Sequence, residues 1–189
     1  LLHREKLMVR LGQGVFLKGR LSSEAKKRTV QAFQSFSRTC QDLSVTRVLA
    51  FGTSALREAQ DSSGLLNEIQ QATGISVRVI SGAEEARLIA RGVLTHEKSL
   101  KGRFALVDIG GGSTEISICH GRKVLFSESF PLGTARLQQV FLRTIPPQSA
   151  NGRDRVSELR LYLRSILIPK FRDQRWPRVN QVLGSSGTI

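Results

Sequence analysis

VDIGGGSTEIS, Val107–Ser117, is the stretch whose reading decides the fold of this chain. A strand-like run carries an acid near its end, passes through three consecutive glycines and a hydroxyl pair, then resumes alternating. Without Cβ atoms, Gly110, Gly111 and Gly112 can adopt positive φ and let several backbone N–H groups converge on one anion. Ser113 and Thr114 add hydroxyl donors. Asp108 alone would repel a phosphate, but it becomes sensible if Mg²⁺ lies between them, directly or through water. The pattern therefore suggests a metal-bridged polyphosphate site. The same residues would also suit a tight hairpin with a capping Asp.

Working outward, RFALVDI, STEISICH and KVLFSESF are three successive strand candidates, with GGG and HGRK as their turns. That arrangement predicts an antiparallel meander. Two helices follow, TARLQQVFL and a longer one over 153–171 in which Val156, Leu159, Leu163 and Leu167 are spaced to face a core. RTIPPQSANG links them, and a last strand, NQVLG, runs into SSGTI. Upstream the character differs. A helix over SSEAKKRTVQAFQSFSRTCQDL places Val30, Phe33, Phe36, Cys40 and Leu43 on one stripe, with Ser22 or Ser23 as its cap. VTRVLAFGT reads as a buried strand, SALREAQ and GLLNEIQQATG as helices, and ISVRVIS as a further strand. AEEARLIARGVLTH reads as an amphipathic helix with Leu88, Ile89 and Val93 inward. Alternating helices and strands over 21–97 predict a parallel α/β layer. The expected boundary lies near 98–102, dividing the chain into lobes 1–99 and 100–189.

Composition narrows the partner class. The chain has 189 residues, a 40% hydrophobic content and a formal net charge of +14. It is long enough to bury a core, and its longest apolar runs are too short to span a bilayer. Cys40 and Cys119 make no disulfide framework and fit small apolar fillers in a reducing cytoplasm. His3, His96 and His120 are isolated in sequence and give no metal-ligand spacing. The basic residues cluster at Lys26–Arg28, at Lys98, Lys101 and Arg103, and over 153–178. Such a field favours polyanions, or it is a solvated face.

Three further features join the glycine turn. VLGSSGTI, Val182–Ile189, again runs a strand into a small-residue turn. Arg57 of GTSALREA stands at the beginning of a helical stretch, where anions are favoured and a guanidinium grips phosphate oxygens in a fork; a surface ion pair with Glu58 or Asp61 would explain it as well. Glu84 and Glu85 open the AEEARL helix. Acids there suit the helix dipole, but a carboxylate at a cleft edge also orients water or accepts its proton.

ISGAEEARLIARGVL, LVDIGGGSTEIS, FPLGTARL and LGSSGTI, in this order and spacing, resemble the exopolyphosphatase and guanosine pentaphosphate phosphatase (Ppx/GppA) family, of the sugar kinase, Hsp70 and actin superfamily. GTSALREA and the opening HREKLMVRLGQG extend the likeness over nearly the whole chain. The resemblance implies an α/β, actin-like (ribonuclease H-like) two-lobed fold with the active site in the cleft. It implies that Glu85 activates the attacking water and that Arg57 binds substrate phosphate. Asp108, Gly110, Gly111, Gly112 and Ser113 would form the phosphate and Mg²⁺ loop, with Glu115 a candidate for the same site. Gly184, Ser185, Ser186 and Gly187 would match the superfamily's nucleotide-side loop. Family members open with an Asp-x-Gly-Ser-Asn-Ser-like phosphate loop that nothing here matches. The expectation is therefore a chain lacking its first strands and its C-terminal end.

The implied function is Mg²⁺-assisted hydrolysis of a terminal phosphoanhydride in inorganic polyphosphate or guanosine pentaphosphate, in the cytoplasm, with a homodimer compatible with it. Two other classes compete. One is a non-catalytic module holding polyphosphate or RNA, although the scarcity of aromatics argues against base stacking and so against nucleic acid. The other is a regulatory relative that binds alarmone without cleaving it.

Overall fold

The computed structural model describes residues 2–97, 100–143, 154–172 and 176–185. They fall into two compact units, Leu1–Ile80 and Ser81–Ile189.

The first unit holds α1 (Val15–Lys18), α2 (Ser23–Asp42), β1 (Ala50–Gly52), α3 (Ser54–Glu58), α4 (Ser62–Thr73) and β2 (Val77–Val79). Ser22 caps α2 by accepting the Ala25 N–H, which satisfies one of the helix's orphan donors. Asp61 ties two segments together, since its carboxylate takes the Leu21 N–H at 3.0 Å and the Lys26 ammonium at 2.6 Å. Behind this polar clasp Val15, Leu21, Val30, Leu56, Ala59, Leu65 and Ile69 form the core, with Phe33 packed against it. Leu43, expected on the inward stripe of α2, is instead 45% exposed at the helix's C-cap. Gly74 ends α4 in the left-handed region with φ 72°, where a side chain would be strained.

β1 and β2 pair in parallel, as the helix–strand alternation predicts. The strand expected over VTRVLAFGT is shorter and far less buried than its sequence suggests. Only Ala50–Gly52 is extended into a ladder, and Val45, Val48, Leu49 and Phe51 are all exposed. An apolar run buries only where another layer covers it, and among the described residues this sheet has two strands. Phe51 is partly shielded by its register partner Arg78, whose guanidinium lies 5.1 Å from the ring centroid, within cation–π range.

The second unit is a three-layer sandwich. Its helices and strands are α5 (Gly82–His96), β3 (Arg103–Ile109), β4 (Thr114–His120), β5 (Lys123–Phe130), α6 (Thr134–Phe141), α7 (Arg155–Phe171) and β6 (Gln181–Ser185). The sheet order is β5-β4-β3-β6. The meander β3-β4-β5 is antiparallel, and β6 joins the other side of β3 in parallel. Both faces of β4 are covered, so six of its seven residues are buried. On one face Phe104 and Cys119 pack with Ala90 and Leu94 of α5. On the other, Ile116, Phe130 and Leu132 pack with Leu137, Tyr162, Leu163, Ile166, Leu167 and Trp176.

α5, expected to close the first lobe, thus belongs with the second unit's sheet. Its inward stripe is also different. Ala86, Ala90 and Leu94 are the buried residues, whereas Leu88 is 41% exposed. Small alanines let the helix lie close on the sheet, a gain that hydrophobicity ranking alone does not reveal.

Candidate functional site

β3 and β4 are joined by the glycine turn, and the register sets what lies beneath it. Asp108 pairs with Glu115, and Glu115 in turn with Ser129 on β5. On the other side Asp108 pairs with Ser185 on β6. Since neighbouring positions in register share a face, a polar row Ser129–Glu115–Asp108–Ser185 crosses all four strands on the α5 face. Below it on the same face lie Ser117 and Ser127, whose hydroxyls are 2.8 Å apart, and below those the apolar Phe104–Cys119 layer. The face grades from apolar to hydroxyl to carboxylate as it approaches the turn.

The two carboxylates are held by hydroxyls. Ser129 Oγ donates to Glu115 Oε1 at 2.7 Å, and Ser113 also bonds Glu115. Ser185 bonds Asp108. Burial nevertheless pushes Glu115 above the usual carboxylate range, helped by the negative charges of Glu85 and Asp108. Asp108 is pushed up in the same way by burial. The α5 N-terminus therefore brings Glu85 within electrostatic reach of the row. Ser81 caps that helix by accepting the Glu84 N–H at 3.1 Å, which places both acids in its first turn.

The glycines act differently from the sequence expectation. Gly110 and Gly111 are not in the left-handed region. Their service is close approach to α6. Thr134 N donates to Gly110 O at 2.9 Å, Arg136 N to Gly111 O at 3.0 Å, and Arg136 Nε to Gly112 O at 2.7 Å. The carbonyls of the turn are thereby drawn to the first turn of α6. In a planar trans peptide the following N–H points the opposite way, so the amides of Gly111, Gly112 and Ser113 face away from α6. None of these three amides donates to an acceptor among the described residues, whereas the Gly110 amide closes the turn on Ser113 O at 2.9 Å. A set of parallel amides with no internal acceptor is what an anion cradle requires.

Gly133 completes this arrangement and is the residue that sequence reasoning missed. A Cβ there would fall on Gly112 N and on Gly111 C and O, well inside 3.0 Å. The signal was present as Gly-Thr immediately ahead of a helix, yet nothing in one sequence says that this glycine meets another glycine loop. Thr114 corrects a further expectation. Its hydroxyl is buried and donates to Leu132 O at 2.8 Å, so it pins the strand to the α6 approach and is not a ligand for phosphate.

Arg57 belongs to the first unit, in the last turn of α3, where its Nη1 donates to Ile80 O at 2.9 Å. Asp61, one of its suggested partners, is taken by Lys26. Gly184 and Ser185 end β6 beside β3; Ser186 and Gly187 lie outside the described residues. For a metal, Asp108 and Glu115 offer hard oxygen donors side by side in register. Among the described residues no three His, Cys, Asp or Glu side chains gather into a metal-holding group. That donor set fits Mg²⁺, which is commonly bound through one or two carboxylates plus substrate oxygens and water.

The whole chain, residues 1–189, matches the model of the Ppx/GppA phosphatase family. The chain belongs to that family. It is 32% identical over 162 residues to exopolyphosphatase 1 of Mycobacterium leprae (strain TN), a match covering 86% of this chain and 47% of that protein. Among solved structures, the exopolyphosphatase of Cytophaga hutchinsonii superposes with a TM-score of 0.90 at 33% identity, over 99% of this chain and 59% of that one. The Aquifex aeolicus Ppx/GppA family member gives a TM-score of 0.71 at 28% identity, over 96% and 56%. The fold is accordingly the α/β one of the Ppx/GppA family. The chain spans about half the length of the curated relatives it matches. Among the described residues, no helix is long and apolar enough to cross a membrane.

Proposed function

We propose that the protein containing this chain is a phosphoanhydride hydrolase that releases terminal phosphate from inorganic polyphosphate, with guanosine pentaphosphate as a second substrate of the same chemistry. The observation that carries this reading is the glycine turn, whose carbonyls are bonded to α6 and whose three amides face away from it, beside the buried Glu115 and the half-buried Asp108. Amides so fixed need no reorganisation as charge develops on a phosphoryl oxygen. Glu85, at the head of α5 and near the same row, is assigned the role of orienting water and accepting its proton. Arg57 is assigned a phosphate contact on the strength of the family motif. Gly184, Ser185, Ser186 and Gly187 are assigned a phosphate-binding role on that ground also.

Asp108 and Glu115 would hold Mg²⁺. When bound, the ion would neutralise phosphate charge and polarise the bond that breaks. The cost of holding a buried carboxylate, Glu115, beside a half-buried one, Asp108, supports this assignment, since a cation relieves it. The setting proposed is the cytoplasm, where both substrates are polyanions suited to a chain of +14 charge.

The test is phosphate release by the full-length protein from long-chain polyphosphate and from guanosine pentaphosphate, with and without Mg²⁺. Release from polyphosphate that requires Mg²⁺ supports the reading. Binding of either compound with no release from both overturns it in favour of a binding protein.

A further inference from the structure

We propose that the groove between α5 and the edge strand β5 is a second oligophosphate-binding site, separate from the glycine turn. The groove has a volume of about 630 Å³ and is lined by Ala83, Arg87 and Arg91 on the helix and by Arg122, Lys123 and Val124–Ser127 on the hairpin and strand. All four cations are exposed, and none of them pairs with a carboxylate among the described residues. What sets these four apart is their convergence, since cations such as Lys26 with Asp61 and Lys170 with Glu128 are neutralised singly by an acid. Four unneutralised charges converging on one concavity from two separate elements hold a standing demand for an anion.

The geometry selects its class. Arg87 and Arg91 are one turn apart on the same flank of α5, about 6 Å along the axis, and Arg122 and Lys123 approach from the hairpin. A single phosphate cannot reach all four, whereas a run of linked phosphoryl groups can, each guanidinium gripping oxygens in a fork. No stacking surface is offered to a base. Phe126, the one aromatic in the lining, turns its ring to Trp176 with centroids 5.0 Å apart. Inorganic phosphate chains therefore fit better than nucleic acid.

The site is distinct from the proposed reaction centre. Glu85 and Arg87 are two residues apart, about 200° around the helix, so the acid and the basic flank point in different directions. Its existence does not rest on hydrolysis.

Calorimetric titration of the full-length protein with inorganic tripolyphosphate tests this. Arg87→Gln/Arg91→Gln and, independently, Arg122→Gln/Lys123→Gln should each weaken one class of binding site by about tenfold or more. Gly133→Ala, which disturbs the glycine turn, should leave that class intact, and phosphate release from tripolyphosphate should persist in both arginine-site variants. Long-chain polyphosphate should bind the class more tightly than tripolyphosphate does, identifying the inorganic chain as occupant. Guanosine pentaphosphate binding more tightly there than long-chain polyphosphate would assign it to a nucleoside polyphosphate instead, still an oligophosphate. Unchanged tripolyphosphate binding in both double variants overturns the proposal, as does tighter binding there of a single-stranded oligonucleotide. Failure of hydrolysis with this binding intact would sink the hydrolase reading alone.

Discussion

Gly133→Ala is the substitution that most directly interrogates the cradle. The added methyl would meet backbone, not the yielding end of a side chain, since its nearest neighbours are Gly112 N and Gly111 C and O. To restore an ordinary contact the turn and the head of α6 must separate by about 1 Å, and a displacement of that size at a reacting group costs about 10²-fold in turnover. Forcing a group into a packed interior also costs about 1–3 kcal/mol of stability. In a unit of this size that corresponds to about 4–8 °C in Tm for each kcal/mol. The bonds from Thr134 N, Arg136 N and Arg136 Nε to the turn carbonyls would lengthen together, so the outward amides would lose their common direction. Gly111→Ala is the control, because its Cβ would meet only Ala135 Cβ, at an ordinary 3.8 Å. Thermal melts and phosphate release measured side by side decide the matter. If Gly133→Ala matches the parent in both while Gly111→Ala fails, the α6 clamp is not what orients the turn.

Glu85→Gln should lower turnover by about 10²–10⁴-fold while polyphosphate still binds; near-normal release would remove Glu85 from the mechanism. Glu115 binds protons more strongly folded than unfolded, because burial raises it. Its contribution to stability is therefore greatest at low pH and is lost as pH rises from the ordinary carboxylate range through the elevated folded value. Melts without divalent cation should show Glu115→Gln gaining on the parent across that window, and Mg²⁺ should narrow the gap; a parent that gains on the variant with rising pH would refute this. Asp61 behaves oppositely. The Lys26 ammonium and the Leu21 N–H hold it below its usual value, so its contribution is present above the ordinary carboxylate range and fades as pH falls through the depressed folded one. Asp61→Asn should cost about 1 kcal/mol at pH 7 and progressively less as pH falls below the ordinary carboxylate range, as read from urea melts over that range.

What the sequence disclosed, and what it withheld, follows from the range of the interactions involved. The meander, the parallel β1–β2 pair and the Gly74 stop rest on local patterning, and all three appear as read. The candidate site stands out in the sequence by residue type, since an acid beside a glycine run is unusual chemistry for a turn. Their manner of working was not. The glycines serve packing against α6 and not positive φ, a fact that depends on Gly133, more than twenty positions downstream. The alanine stripe of α5 was hidden for a related reason. Leu88 outranks Ala86 in hydrophobicity, but only the helix-to-sheet spacing says which face is in contact. VTRVLAFGT misled in the other direction, because an apolar run states a preference for burial without supplying the layer that covers it.

The aromatic cluster behind the sheet has a practical consequence. Trp176, ringed by Phe126, Phe130 and Phe171, is the chain's single tryptophan, and Tyr162, stacked near Phe141, is its single tyrosine. Both lie in the Ser81–Ile189 unit. Intrinsic emission from this chain is therefore a one-sided reporter, blind to Leu1–Ile80. Compared with far-ultraviolet dichroism, which senses the helices of both units, it would reveal whether the two melt in concert or in succession, with no label introduced.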